Sequence, residues 1–168
     1  MIKKISIAVL VILVVIQFIP YEKNDSNDMT YDVSKSYNVP ENVQTLLKGA
    51  CNDCHSNQTV YPWYSKIEPI GFWLNNHIVD GKRHLNFSNF TQLPLAVQNH
   101  KFEETIEMVE EKEMPLESYT AMGLHPEANL SDSDRQVLID WAKDQMAYLK
   151  ATYPADSLVM KRRTPPAQ

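Results

Sequence analysis

A continuous apolar run near the N-terminus is the first pattern in the chain. Residues 5–19 are almost all Ile, Val, Leu and Ala, and two lysines, Lys3 and Lys4, precede them. An apolar run with basic residues on its N-terminal side is typical of an export segment. Because no pair of small residues follows as a cleavage site, we expect a membrane-spanning signal anchor with its N-terminus in the cytoplasm. A cleaved signal peptide at residues 1–20 is the alternative.

Apolar residues recur at helical spacing in four later stretches. Their ends are marked by prolines, a glycine and a serine, residues that begin or end helices. The predicted helices cover about residues 40–50, 69–80, 101–113 and 131–153. The pattern predicts an all-α domain.

Three local signals set the ends of these helices. Gly81 follows the second helix and is interpreted as its end. The third helix stops at Met114-Pro115, because proline disfavours the α conformation in the residue before it. Ser131 is the predicted N-cap of the last helix, and Asp134 completes an acidic variant of the capping box.

The flanking segments are polar. Residues 21–38 lack periodicity and are predicted to be a linker, and residues 154–168 are predicted to be a disordered tail. Residues 39–153 then form the domain, a length that supports a single core. The net charge of -5 among 168 residues argues against nucleic acid as a partner, since phosphate backbones are bound by basic surfaces.

The chain has two cysteines, and a histidine follows the second directly. Cys51, Cys54 and His55 form C-x-x-C-H, the attachment signature of c-type haem. On one turn of helix both thiols can reach the vinyl groups of a porphyrin while the imidazole turns toward the iron. We therefore predict one covalent haem c per chain, with His55 as the proximal axial ligand.

Other interpretations of the cysteine pair are weaker. A thioredoxin-like dithiol requires a β-α-β surrounding, and no strand is predicted before Cys51. A zinc site requires about four ligands, and a second cysteine pair is missing. A disulfide across a two-residue gap would contribute little loop-closure entropy.

The sixth ligand of the iron has several candidates after the motif. Met114 is favoured because the following proline places it in an extended segment, late in the chain. His125 also precedes a proline and is the main rival, with Met122 in the same loop. His77 lies on an apolar helix face, where packing alone accounts for it, and His84 lies in a basic turn.

Two further predictions concern the haem surroundings. The aromatic residues of 61–64 follow the motif at once and are expected to form a packing wall for the porphyrin. Arg83 and His84 are candidates to reach the haem propionates.

Beyond the haem motif, the order of several blocks resembles the bacterial haem-binding domain family. The resemblance covers about residues 39–150 and implies a relative of class I cytochromes c, with Met114 at the usual methionine-ligand position. One departure is Lys82, which stands where the family has the arginine of Gly-Arg. The blocks that carry the resemblance are residues 51–56, 61–64, 73–78, 85–88, 113–116, 125–127 and 131–141.

Ligation decides the expected function. With His55 and Met114 on the iron there is no open site, so we expect single-electron transfer with an unidentified redox partner protein rather than an enzyme. The expected location is the cell inner membrane, with the domain on the periplasmic side. The alternatives are a haem-based sensor or peroxidase-like module with an open distal site, and a non-catalytic haem module of a membrane complex.

Overall fold

A computed structural model describes residues 1–160 of the chain, apart from the side chain of Met122; the last eight residues of the predicted tail lie outside the described residues. Within residues 1–160 the regular structure is entirely helical, as predicted. Short 3₁₀ turns join the helices. The α-helices are α1 (Ile2–Val15), α2 (Glu41–Ala50), α3 (Asn52–His55), α4 (Ile70–His84), α5 (Leu95–Glu110), α6 (Glu117–Thr120) and α7 (Asp132–Thr152).

The core lies between the two longest helices of the domain. α5 and α7 pack along their lengths, and aromatic rings fill the space between them and the 3₁₀ turn Phe87–Gln92. Phe90 and Phe102 are fully buried, with ring centroids 4.8 Å apart. Trp141 meets Phe102 edge to face and donates its indole N–H to the carbonyl of Asn38 at 2.9 Å. This cluster makes α7 a rigid support for the segments around it.

The N-terminal apolar segment forms a shorter helix than predicted. α1 has 14 residues, about 21 Å at the helical rise, against about 30 Å for a hydrocarbon core. The chain continues as the 3₁₀ turn Ile16–Phe18 and becomes extended at Ile19, as expected before Pro20. In the part of the chain that is described, no helix combines the length and apolarity required to cross a membrane. The predicted membrane-spanning helix is therefore not found.

The polar segment at residues 21–38 packs onto the domain instead of extending away from it. Its apolar side chains Val33 and Tyr37 are buried in the core. Asn24 is also buried, and its amide donates to the carbonyl of Ser56 and the hydroxyl of Thr59, both at 2.9 Å. The segment can be polar and still pack on the domain, because hydrogen bonds to the buried side-chain amide offset the cost of removing it from water.

The C-terminal end of the described chain is also packed. The 3₁₀ turn Ala155–Leu158 follows α7, and Leu158 is buried in the core cluster. Ordered packing thus continues beyond the boundary predicted at residue 153.

Candidate haem site

A cavity of about 450 Å³ opens where the cysteine motif faces α4, α5 and the segment after α5. This volume falls in the usual range for small-molecule and cofactor sites. The predicted residues Cys51, Cys54, His55 and Met114 all line it. The structure therefore brings the sequence-predicted site residues around one space.

His55 is held by two backbone carbonyls. Its Nδ1 lies 3.0 Å from the carbonyl oxygen of Gly81 and 3.0 Å from that of Leu85. Because carbonyls only accept, Nδ1 carries the hydrogen, and Nε2 keeps a free lone pair. Burial lowers the pKa of His55, which favours the neutral ring that a metal requires. A histidine oriented through its second nitrogen is the usual arrangement of a metal ligand.

Gly81 makes this contact possible. A Cβ at Gly81 would lie 2.7 Å from the carbonyl oxygen of Cys54 and 3.1 Å from its Cβ. The interpretation of Gly81 as a helix end was wrong, because α4 continues to His84. α4 crosses the haem motif so closely at this position that only a glycine fits. The same close approach brings the carbonyl of Gly81 to Nδ1 of His55.

The two cysteines are free thiols beside the cavity. Burial, with a smaller contribution from Cys54, raises the pKa of Cys51 to about 12. Burial also raises the pKa of Cys54 to about 11. A redox dithiol requires a lowered thiol pKa, so the thioredoxin-like interpretation does not fit this environment.

Met114 lines the cavity close to a second methionine that no sequence pattern indicated. α5 ends at Glu110, earlier than predicted, because Lys112 adopts a left-handed conformation with φ of 61°. The chain then turns back, and Met114 donates its N–H to the carbonyl of Met108 at 3.1 Å. Met108 also lines the cavity. Its position in the last turn of α5 was the only sequence signal for it.

The rival His125 is committed to other contacts. It is 5% exposed and is not among the residues that line the cavity. Its Nε2 lies 2.5 Å from the hydroxyl of Tyr64, and its ring stacks on Tyr119 with centroids 3.9 Å apart. One ring face of His125 is therefore occupied by Tyr119, and its Nε2 is occupied by Tyr64. The side chain of Met122 lies outside the described part of the chain.

His77 and His84 lie on the cavity wall. Nδ1 of His77 is 2.9 Å from the carbonyl of Trp73, one turn earlier in α4, and the two rings are in contact. His84 is exposed at the end of α4. His77 is thus held through one carbonyl of its own helix, whereas His55 is held through two carbonyls of another helix and its following residue.

The predicted surroundings of the haem differ in detail. Of the aromatic residues at 61–64, none lines the cavity, and Trp63 is 69% exposed. Arg83 is not among the residues that line the cavity, and it forms an exposed ion pair with Asp80 at 2.9 Å. Lys101 is a cavity-lining cation that the sequence analysis missed, and it pairs with Glu104 at 2.6 Å.

One polar contact ties the motif to the chain after α5. Tyr119 donates its hydroxyl to Oδ2 of Asp53 at 2.7 Å, and Oδ1 of Asp53 accepts the N–H of Val60 at 2.9 Å. Burial, together with the bond to Asp53, raises the pKa of Tyr119. Asp53 is one of the two unspecified positions of the motif, so no sequence signal singled it out.

A comparison with protein families decides the identity. The model of a haem-binding domain matches residues 11–144, well over half of the chain. The chain belongs to the haem-binding domain family. The match of this haem-binding domain begins before residue 39, in agreement with the packing of residues 21–38 on the fold. No curated protein and no solved structure matches the chain.

The residues present fit a haem. The cavity is walled largely by apolar side chains, and its lining includes the imidazole of His55, held through Nδ1 by two carbonyls, the further imidazoles of His77 and His84, and the thioethers of Met108 and Met114. Two thiols flank the imidazole of His55 on a single helical turn, since the N–H groups of Cys54 and His55 both donate to the carbonyl of Cys51. This is the donor set that haem iron takes in proteins.

Proposed function

We propose that this haem-binding domain holds one c-type haem covalently through Cys51 and Cys54 and serves as a single-electron carrier. His55 and Met114 are the proposed axial ligands. The supporting observation is the arrangement of His55, whose Nδ1–H is held by two carbonyls while Nε2 remains free in a cavity that Met114 also lines. An iron with histidine and methionine ligands exchanges one electron at a relatively high potential.

The protein's own residues then have distinct tasks. The carbonyls of Gly81 and Leu85 orient His55, and apolar walls such as Leu74 and Phe87 exclude water from the site. A filled sixth position leaves no site for oxygen or peroxide. This separates an electron carrier from a sensor or a peroxidase-like module.

The test is the absorption spectrum of the purified full-length holoprotein, oxidised and reduced, with and without carbon monoxide. We expect a low-spin spectrum that carbon monoxide does not change promptly, and haem that stays on the polypeptide in denaturing electrophoresis. Rapid carbon monoxide binding would indicate an open-site sensor or enzyme. Release of the haem by acidified solvent would contradict covalent attachment.

We also propose that α1 holds the domain at the outer, periplasmic side of the cytoplasmic membrane. After Lys3 and Lys4, the side chains of α1 are apolar except for Ser6, and none is buried against the domain. Fractionation of cells tests this location. We expect the protein with membranes and with its N-terminus near Met1, whereas a soluble protein beginning after Pro20 would contradict attachment.

A carrier also requires a partner protein, and the surface beside the cavity suggests its charge. Glu104 and Glu107 of α5 lie on the cavity wall, and Glu103 and Glu110 extend the same acidic face. We propose a redox partner with a basic docking surface. The rate of electron exchange with a basic carrier should then fall as ionic strength rises. A rate independent of salt would contradict this.

A further inference from the structure

The segment that carries Met114 makes few contacts of its own. We call residues 111–116 the strap; it joins the end of α5 to α6. The strap turns at Lys112, whose N–H bonds the carbonyl of Val109 at 3.3 Å, and the N–H of Met114 bonds the carbonyl of Met108. These two bonds tie the strap to the last turn of α5.

Two side chains of α7 also contact the strap: Asp132 forms an exposed ion pair with Lys112, and Arg135 bonds the backbone. Nη1 of Arg135 donates to the carbonyl of Met114 at 2.7 Å and to the carbonyl of Val109 at 3.0 Å. A single guanidinium group therefore joins the strap, the last turn of α5 and α7. Hydrogen bonds from a charged donor are roughly twice as strong as those between neutral groups.

Arg135 is attached to a rigid element. α7 begins with a complete capping box, in which Ser131 and Asp134 bond each other's backbone. Leu138, one turn after Arg135, is buried, and Trp141 is bonded to Asn38. The guanidinium of Arg135 thus connects the backbone carbonyl of Met114 to a helix that is anchored in the core.

We propose that Arg135 is a positioning residue that keeps the thioether of Met114 in place at the iron. This inference rests on the proposed function, in which Met114 is an axial ligand. The side chain of methionine has three rotatable bonds and is itself flexible. If the backbone were also free to move, the sulfur would be detached in a larger fraction of molecules, so a fixed backbone keeps that fraction small. An external ligand binds only that fraction, and its apparent affinity falls in proportion. Arg135 therefore sets how readily a small ligand displaces Met114.

The experiment is an imidazole titration of the oxidised full-length holoprotein. Arg135→Ala removes both hydrogen bonds and should lower the apparent Kd for imidazole about tenfold or more, a factor that corresponds to about 1.4 kcal/mol. Arg135→Lys keeps a charged donor and should give an intermediate Kd. Lys112→Ala is the matched control: it removes an exposed strap ion pair to Asp132 of α7 and should leave the Kd unchanged.

Two further measurements separate a positioning role from a purely structural one. Thermal unfolding of each variant reports stability, and hydrogen exchange reports opening of the strap, which should be faster in Arg135→Ala than in Lys112→Ala. If Arg135→Ala lowers the Tm but keeps the imidazole affinity of the wild type, the inference is overturned. If that variant does not fold, Arg135→Gln and Arg135→Lys give the same comparison.

Failure of the proposed function has a different signature. A wild-type protein without the far-red sulfur-to-iron charge-transfer band has no methionine on the iron, and the role of Arg135 is then overturned along with that ligation. A wild-type protein that has the band, with no change of imidazole affinity in any Arg135 variant, overturns the role of Arg135 alone.

Discussion

The two sides of the cavity are held in different ways. On the side of His55, the backbone of α4 at Gly81 packs directly on the backbone of Cys54 in the motif, and the carbonyls of Gly81 and Leu85 hold the imidazole. On the side of Met114, a side chain holds the chain, because Arg135 of α7, 21 residues further along the sequence, bonds the carbonyl of Met114. The first side depends on a missing Cβ and the second on one guanidinium group, so substitutions should affect them by different mechanisms.

The largest effect is expected at the covalent attachment on the His55 side. A Cys51→Ala, Cys54→Ala double variant has no thiol to form a thioether, so haem should be absent from the polypeptide in denaturing electrophoresis. His77→Ala is a matched control because His77 lines the same cavity without the two-carbonyl support. It should keep covalent haem, and retention of haem by the double variant would refute the attachment.

A smaller loss is expected from closing the gap between α4 and the motif. In Gly81→Ala the new methyl group would clash with backbone of Cys54, and such overpacking lowers the free energy of unfolding by about 1–3 kcal/mol. Denaturant unfolding of the full chain measures it. Asp80→Ala changes the adjacent exposed residue and should stay within about 0.5 kcal/mol of the wild type. Equal stability of the two variants would show that the close approach is unimportant.

The contact between the motif and the chain after the strap should contribute less. Tyr119→Phe keeps the stacking on His125 but removes the hydrogen bond to Asp53, which we expect to cost about 1.5 kcal/mol because the acceptor is charged. Denaturant unfolding again measures the loss. Tyr148→Phe, at a half-exposed ring, is the control. A loss of equal size there would show that Asp53 is not the cause.

The smallest effect is expected at the cap that supports Arg135. Ser131→Ala removes the N-cap bond and should cost about 1 kcal/mol. Hydrogen bonds from Ser131 lower the pKa of Asp134, so the folded state favours the ionised carboxylate. That stability is present above the ordinary carboxyl pKa and is lost as the pH falls and Asp134 becomes protonated. In unfolding measured against pH, the stability difference between the variant and the wild type should narrow in acid and keep the part due to the N-cap bond; a difference that stays constant would contradict the linkage.

Local signals in the sequence predicted much of the His55 side. Neighbouring residues define the motif and its spacing, and the cap at Ser131 was likewise found with both of its bonds. Gly81 was misinterpreted because a glycine that ends a helix and a glycine that admits a neighbouring backbone look alike in sequence. Only the position of Cys54 in space distinguishes them.

The Met114 side depends on contacts between distant residues, which periodicity cannot show. Arg135 looks like an ordinary polar position of α7 until its bonds to Met114 are seen. Tyr119 and Asp53 are 66 residues apart and meet only in the fold. Met108 was missed for the same reason, because its exposure to the cavity depends on how α5 packs on α7.

The most direct test of the account is the far-red charge-transfer band of the oxidised holoprotein in the wild type, in Met114→Ala and in Met108→Ala. Both methionines line the cavity, so each variant is the control for the other. We predict that the wild type and Met108→Ala show the band and that Met114→Ala loses it. A band that persists in Met114→Ala and disappears in Met108→Ala, or a wild type with no band, would contradict the assignment of Met114 to the iron.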